Sequence, residues 1–270
     1  METLNKLLSI DSNYISIGFV LLFFTLEQFI TTQFRFIDRT KHLLNNVVLM
    51  LAFILLNLLF ATLIVKSFEW LNDHKIGLFY ILEIPAIPKM ILAVFLFDFI
   101  SYWFHRLGHF SPFLWRLHRV HHSDTTMDSS TQFRGHPIDA LYYTFSDIVT
   151  CALFGLTLTE CGVYFLVLSP FLAWTHSNLK VPKWVDKSIG IFMTTPHFHR
   201  VHHEQDQFYT DSNFSDIFIM WDKIFGTFKY KEPESINFGL TEFDSNKKQS
   251  PWFLLISPFI NIKKIKSTEE

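Results

Sequence analysis

Three short clusters of histidine carry the clearest chemical signal in this 270-residue sequence. In a helix, side chains at i, i+3 and i+4 project from one face, so HxxxH or HxxHH spacing directs the imidazoles toward one point. A three-histidine HxxHH pattern is expected roughly 0.03 times by chance in such a chain, by template counting, yet it occurs twice. The clusters predict metal ligands at His105, His109, His118, His121, His122, His199, His202 and His203.

The number of clustered histidines indicates two metal ions. One ion cannot accept eight imidazoles, because zinc is usually four-coordinate and iron or manganese rarely exceeds six ligands. Two single histidines, His136 and His176, are candidates to complete the set. His197 is a weaker candidate because it points away from the face used by the third cluster. His42 and His74 stand alone and are interpreted as structural.

Three aspartates are candidates to orient these imidazoles. A metal-bound imidazole normally donates its other N–H to a carboxylate or carbonyl, which fixes the tautomer and the ring orientation. Asp98 lies seven residues before His105 and therefore shares its helical face. Asp139, and Asp211 within the segment 209–214, are the other two candidates.

Long apolar runs must position these clusters. Hydrophobic residues make up 49% of the chain, which contains 32 phenylalanines, and apolar runs near 20 residues are typical of membrane-spanning helices. Glu27 interrupts the first run, where it either faces a partner helix or lies near the interface. Tyr142 begins the first arm of an expected helical hairpin. The runs are 15–34, 43–65, 90–104, 142–155 and 163–174.

These features predict an all-α integral membrane bundle of about four or five embedded helices with a cytoplasmic helical metal-binding cap. Arg35, Arg39 and Lys41 lie between the first two runs, which the positive-inside rule assigns to the cytoplasm. Counting spans from there puts all three clusters on the same side. The expected organisation is one structural unit, with anchoring helices in 1–90, the histidine-box region in 91–236 and an interfacial tail in 237–270.

Composition excludes several other classes of protein. The formal net charge is only −2 and no long basic block occurs, so nucleic acid is not an expected partner. Cys151 and Cys161 form no CxxC pair and are expected to be buried packing residues.

The segment 179–196 mixes aromatic residues with lysines, as expected for a segment that lies in the membrane interface.

The order HxxxH, HxxHH, HxxHH after hydrophobic runs resembles the fatty acid hydroxylase and sterol desaturase superfamily of membrane di-iron oxygenases. Further elements between about 90 and 230 agree with that superfamily, namely Arg-x-His-Pro at 134–137, His-Ser-Asn at 176–178, Thr-Pro at 195–196 and Trp-Asp-Lys-Ile-Phe-Gly-Thr at 221–227. One difference is Asn213-Phe214-Ser215, where many members have Asn-Tyr-Gly, so the resemblance stops at the superfamily.

The resemblance implies two iron ions that use O2 to hydroxylate or desaturate a membrane lipid. Zinc could occupy such a site in vitro, because imidazole sites bind later divalent metals well. The electrons are expected from NAD(P)H through a separate carrier, such as cytochrome b5 or a ferredoxin with its reductase. Neither a His-Pro-Gly-Gly haem element nor a cysteine cluster occurs in the sequence.

Two other functions remain open from the residues alone. A metal-dependent membrane hydrolase could use the same ligands to activate water, and independence from O2 would identify it. A non-catalytic metal-binding or metal-transporting membrane protein is the other. Transporters place their ligands near the middle of the membrane, whereas these clusters lie beyond the ends of the apolar runs.

Overall fold

The computed structural model describes residues 12–30 and 39–262. Within these ranges the regular structure is helical, and the β contact present is an isolated antiparallel bridge between Glu204 and Phe238. The predicted all-α class is therefore confirmed. The helices are α1 (Ser12–Phe29), α2 (Arg39–Asp73), α3 (Ala86–Phe110), α4 (Pro112–His122), α5 (Pro137–Phe154), α6 (Leu158–Thr175), α7 (Lys183–Ser188), α8 (Pro196–His202), α9 (Gln207–Thr210), α10 (Met220–Ile224) and α11 (Pro251–Ile256).

Short 3-10 turns occur between these helices. Ser129–Phe133 follows α4, and its first residues are held by a capping box in which Asp128 accepts the backbone N–H of Ser130. The remaining turns of the described chain are Leu78–Tyr80, Ile189–Ile191, Pro233–Ser235, Thr241–Phe243 and Ser257–Phe259.

Three helical segments among the described residues are long and apolar enough to cross a bilayer. They are Arg39–Tyr80, which contains α2, together with α3 and α6. The other two long helices, α1 and α5, coincide with the remaining predicted apolar runs. The chain is an integral membrane protein.

The predicted hairpin forms from α5 and α6. His136 is the N-cap of α5, and Gly155 ends that helix in the left-handed conformation with φ 69°. Thr157 and Glu160 form a capping box that starts α6. Because the two helices are antiparallel, the beginning of α5 and the end of α6 lie at the same end of the bundle.

The central helix of the bundle is α3, which packs against α4, α5 and α6, while α1 packs on α6 and α2 packs on α5. Phe97 of α3 stacks on Tyr164 of α6, with ring centroids 5.1 Å apart, within one apolar core. Cys151 and Cys161 are buried in that core as free thiols, as expected. This packing brings the last turn of α3 beside the beginning of α5 and the end of α6.

The end of α1 is tied to the segments that carry the histidines. Glu27 is buried, and its Oε1 accepts the backbone N–H groups of Ser129 at 3.1 Å and Asn178 at 2.9 Å. Its Oε2 pairs with Arg39 at 2.6 Å. Of the two possibilities for Glu27, the buried position against a partner is the one observed.

Two surface segments expose large apolar side chains. Trp184 and Phe192 are exposed in and after α7, and Trp252 and Phe259 are exposed in and after α11. The interfacial positions expected for both segments remain predictions. Arg35, one of the three cations used to predict the cytoplasmic side, lies outside the described residues, as does the basic stretch after residue 262.

Candidate metal centre

Nine imidazoles converge in two adjacent groups at one end of the bundle. In each group, one ring nitrogen from every histidine lies within 4.8 Å of the others. The five-histidine group comprises His105, His109, His118, His122 and His202, and the four-histidine group comprises His121, His176, His199 and His203.

The two HxxHH helices each contribute to both groups. Consecutive residues of an α-helix point about 100° apart, so His122 of α4 faces the five-histidine group while His121 faces the four-histidine group. In α8 and its C-cap, His202 and His203 divide in the same way. His176, the C-cap of α6, completes the four-histidine group.

The imidazole nitrogens that face each other lie too close together for both of them to carry hydrogen. Close Nε2–Nε2 contacts of this kind require lone pairs on most of the rings, because two N–H groups cannot point at each other at hydrogen-bond distance. The separations are 3.1 Å for His105 and His118, 3.2 Å for His118 and His122, 3.2 Å for His121 and His176, and 3.0 Å for His176 and His199.

Backbone carbonyls hold the opposite nitrogen of several rings. An Nδ1–H that donates to a carbonyl leaves Nε2 with its lone pair free for a metal. The Nδ1–oxygen distances are 2.7 Å from His105 to Phe214, 2.9 Å from His121 to Arg134, 2.8 Å from His176 to Leu172 and 2.6 Å from His202 to Ser212.

Carboxylates hold two further rings, both in the five-histidine group. Asp139 Oδ2 lies 3.0 Å from His118 Nδ1, and Asp211 Oδ1 lies 3.1 Å from His109 Nδ1. The Asp139 side chain is buried, whereas 24% of the Asp211 side chain is exposed. These two of the three sequence-predicted aspartates do contact imidazoles of the cluster.

Burial keeps the histidines neutral. Loss of solvation, followed in most cases by repulsion from neighbouring imidazoles, lowers the pKa of His118, His121 and His176 to about 3. The same causes hold the pKa of His122, His199, His202 and His203 well below the ordinary value. Metal ions require such unprotonated imidazoles.

The donor set fits two divalent cations. Nε2 of His109, His202 and His203 is buried without a hydrogen-bond partner among the described residues, and a buried polar atom without a partner is costly. A cation between the nitrogens of each group would give these lone pairs a partner. Imidazole donors suit iron, zinc, copper and nickel.

A cavity of about 240 Å³ adjoins both groups. His105 and His118 line it from the five-histidine group, and His121 and His176 line it from the four-histidine group. Much of its remaining wall comes from α5 and α6, with Ser101 of α3, Asp216 and the segment 132–135 completing it. A molecule in this cavity therefore lies directly beside both candidate metal positions.

Comparison with known proteins agrees with this arrangement. The fatty acid hydroxylase family matches residues 90–227, just over half of the sequence, and this range contains all nine converging histidines. The chain belongs to the fatty acid hydroxylase family. No solved structure matches it.

Curated relatives of this hydroxylase-family chain are named as enzymes acting on lipids. The human alkylglycerol monooxygenase is 34% identical over 53% of this chain and 31% of its own length. The ornithine lipid hydroxylase of Rhizobium tropici is 29% identical over 58% of this chain and 47% of its own length. The chain thus matches about a third of the length of the alkylglycerol monooxygenases.

One predicted orienting residue lies elsewhere. Asp98 is fully buried, but its carboxylate accepts hydrogen bonds from the backbone N–H groups of Ile217 and Phe218 and from Trp221 Nε1, at 2.9 to 3.0 Å. It therefore contacts no imidazole of this hydroxylase-family site. Asp98 instead anchors the segment that leads from α8 to α10 onto α3.

Two single histidines are not brought into either group. His136 caps α5 by accepting the Ile138 N–H, and its Nε2 donates to the Leu255 carbonyl at 3.1 Å. His197 lies between the Asp186 carboxylate at 2.7 Å and the Lys231 carbonyl at 2.7 Å. Both rings have their nitrogens engaged in the protein, which explains why neither joins the cluster.

Sequence reasoning missed a buried polar network behind the second histidine box. His42 Nε2 lies 2.8 Å from Asp124 Oδ2, and Asn46 donates to Ser130 at 2.9 Å. Arg134 is fully buried and donates to Asn46 and to Ser123. The i, i+4 spacing of His42 and Asn46 on an otherwise apolar helix was the available signal.

Proposed function

We propose that this protein is a membrane lipid monooxygenase that uses a histidine-ligated di-iron centre to hydroxylate or desaturate its substrate. The observation that carries the proposal is the pair of imidazole groups that border one cavity. Bound iron would supply the oxidising power, with O2 as oxidant, that an unactivated C–H bond requires. The names of the two relatives above, a monooxygenase and a lipid hydroxylase, support the same class.

The protein's own residues would position the reactants. His105, His118, His121 and His176 face the cavity, so a lipid carbon beside them would lie next to both metals. Phe165, Leu168 and Leu172 line the cavity from α6 and would hold an alkyl chain and exclude water. The carbonyls and carboxylates on the outer nitrogens would keep the imidazoles in a single orientation.

The ligand set follows from the same geometry. We assign His105, His109, His118, His122 and His202 to one iron and His121, His176, His199 and His203 to the other. His136 and His197, the remaining sequence candidates, are not included in this assignment. Electrons would arrive from NAD(P)H through a separate carrier protein, on the side of the membrane that the positive-inside rule assigns to the cytoplasm.

Two measurements, one on the purified protein and one on cells, test the proposal. Metal analysis and Mössbauer spectra of anaerobically purified protein should show two iron ions per chain, and a single-metal stoichiometry would contradict the di-iron assignment. Lipidomics of cells with and without the gene should reveal species that differ by one oxygen atom or two hydrogen atoms. Turnover of lipid under strict anoxia without reductant would instead identify a hydrolase.

A further inference from the structure

Polar groups line the part of the cavity that lies away from the imidazoles. Ser101, Ser146, Asp147, Tyr164 and Asp216 all line it, together with apolar side chains of α6. A cavity built only for a hydrocarbon chain would not carry these groups, because desolvating an unpaired carboxylate or hydroxyl by an alkyl chain is costly. The cavity is therefore amphipathic.

Among the described residues, two of these groups are left without a well-formed partner. The Tyr164 side chain is only 2% exposed, and its hydroxyl lies near Ser101 but forms no well-directed hydrogen bond with a described residue. The Asp147 carboxylate likewise forms no hydrogen bond or ion pair among the described residues. Asp216, in contrast, already accepts the Ser101 hydroxyl at 2.8 Å. Asp147 and Tyr164 are thus the groups left for a ligand.

The position of Asp147 along α5 gives its distance from the candidate metals. Asp139, whose carboxylate contacts His118, lies eight residues earlier in the same helix. At a rise of 1.5 Å per residue, the two carboxylates are separated by about 12 Å along the helix axis. A group bound at Asp147 would leave several carbon atoms of the same molecule between it and the imidazoles.

We propose that Asp147 and Tyr164 form a subsite for a hydroxyl or amine group of the lipid, several bonds away from the carbon that is oxidised. The inference rests on the proposed function for the oxidation itself, but the subsite is a binding property. The substrate class is then an amphiphile with hydrogen-bond donors, such as a lipid alcohol or amine, and not a plain alkyl chain. The carboxylate accepts the donor hydrogen, and the Tyr164 hydroxyl adds a second hydrogen bond.

Equilibrium binding to the full-length protein in nanodiscs tests the subsite without turnover. The probes are isotope-labelled hexadecanol, hexadecylamine and hexadecyl methyl ether. All three have the same hexadecyl chain, but the ether lacks the hydrogen-bond donor of the other two. Empty nanodiscs correct for partition into lipid. The wild type should bind the alcohol and the amine about 10- to 100-fold more tightly than the ether, since a buried acceptor left unpaired is penalised by that factor.

Variants separate the subsite from other roles of these residues. Asp147→Leu should abolish the preference, and Asp147→Asn should keep it for the alcohol but reduce it for the amine by about tenfold, because the amide oxygen still accepts without charge. Tyr164→Phe should weaken alcohol binding with little change in fold. Asp73→Leu is the matched control, because Asp73 is exposed at the end of α2 and distant from the cavity lining.

Several outcomes would overturn the subsite. Equal affinity of the wild type for all three probes would do so, as would a preference that survives in both Asp147→Leu and Tyr164→Phe. An Asp147→Asn variant with unchanged binding but reduced turnover would assign Asp147 to proton transfer instead. Donor-selective binding without any O2-dependent oxidation would leave the subsite standing and contradict the proposed function, so the two failures are distinguishable.

Discussion

Replacing Asp139 should weaken one metal position and leave the other intact. Asp139 contacts His118 Nδ1 at 3.0 Å, and His118 Nε2 lies within 3.2 Å of both His105 Nε2 and His122 Nε2. Loss of the carboxylate removes the group that orients this shared ring. Loss of a carboxylate that hydrogen-bonds to a metal-binding imidazole typically weakens metal affinity 10- to 100-fold, about 1.4 to 2.7 kcal/mol.

The four-histidine group should not respond to Asp139→Ala, because backbone carbonyls hold its His121 and His176 rings. Asp139→Asn should have an intermediate effect, since the amide oxygen can still accept from Nδ1–H. Asp211→Ala should have a smaller effect than Asp139→Ala, because water can replace a carboxylate whose side chain is 24% exposed.

The assay is anaerobic titration of the purified apoprotein with buffered Fe²⁺, with bound ions per chain counted by mass spectrometry. Asp139→Ala should give two separated binding steps, one at the wild-type affinity and one 10- to 100-fold weaker. Equal weakening of both steps, or an unchanged titration in a folded variant, would refute the assignment of His118 to one group held by Asp139.

Three further predictions concern the other histidines and the buried glutamate. His122→Ala and His203→Ala should each reduce the iron content from two ions per chain to one, whereas His197→Ala should retain both; identical losses in all three variants would contradict the grouping. His136→Ala should keep its iron and lower the free energy of unfolding by about 1 kcal/mol through loss of a helix cap, as seen by thermal unfolding in detergent. Glu27→Ala should destabilise the protein by about 3 to 5 kcal/mol, because Arg39 and two backbone N–H groups lose their buried partner, and an unchanged melting temperature would refute that role.

Helical periodicity was enough to identify the clustered histidines as candidate ligands, because it relates side chains that lie about one helical turn apart. In α4, and in α8 with its C-cap, the i and i+4 histidines share a group, His118 with His122 and His199 with His203, but the i+3 members His121 and His202 belong to the other group. Periodicity did not predict this division, because it depends on where α3, α4, α6 and α8 meet.

Periodicity also cannot identify a partner that is distant in sequence. Asp98 was placed on the correct face of α3, but its partner Ile217 lies 119 residues away, and the backbone N–H groups of a turn leave no side-chain pattern. His136 was a similar case, because its acceptor is a backbone carbonyl of α11. Asp139 was predicted from its position three residues after His136, but the imidazole that it contacts belongs to His118, 21 residues earlier.

The buried contacts of Glu27 and Gln249 have a consequence for biogenesis. Glu27 belongs to the first described helix, whereas Gln249 precedes α11 and contacts Arg134 and the Ser123 carbonyl behind the second histidine box. Segments on both sides of residues 90–227 must therefore be in place before that box is fully supported. We expect the family-matched segment 90–227 expressed alone not to retain iron.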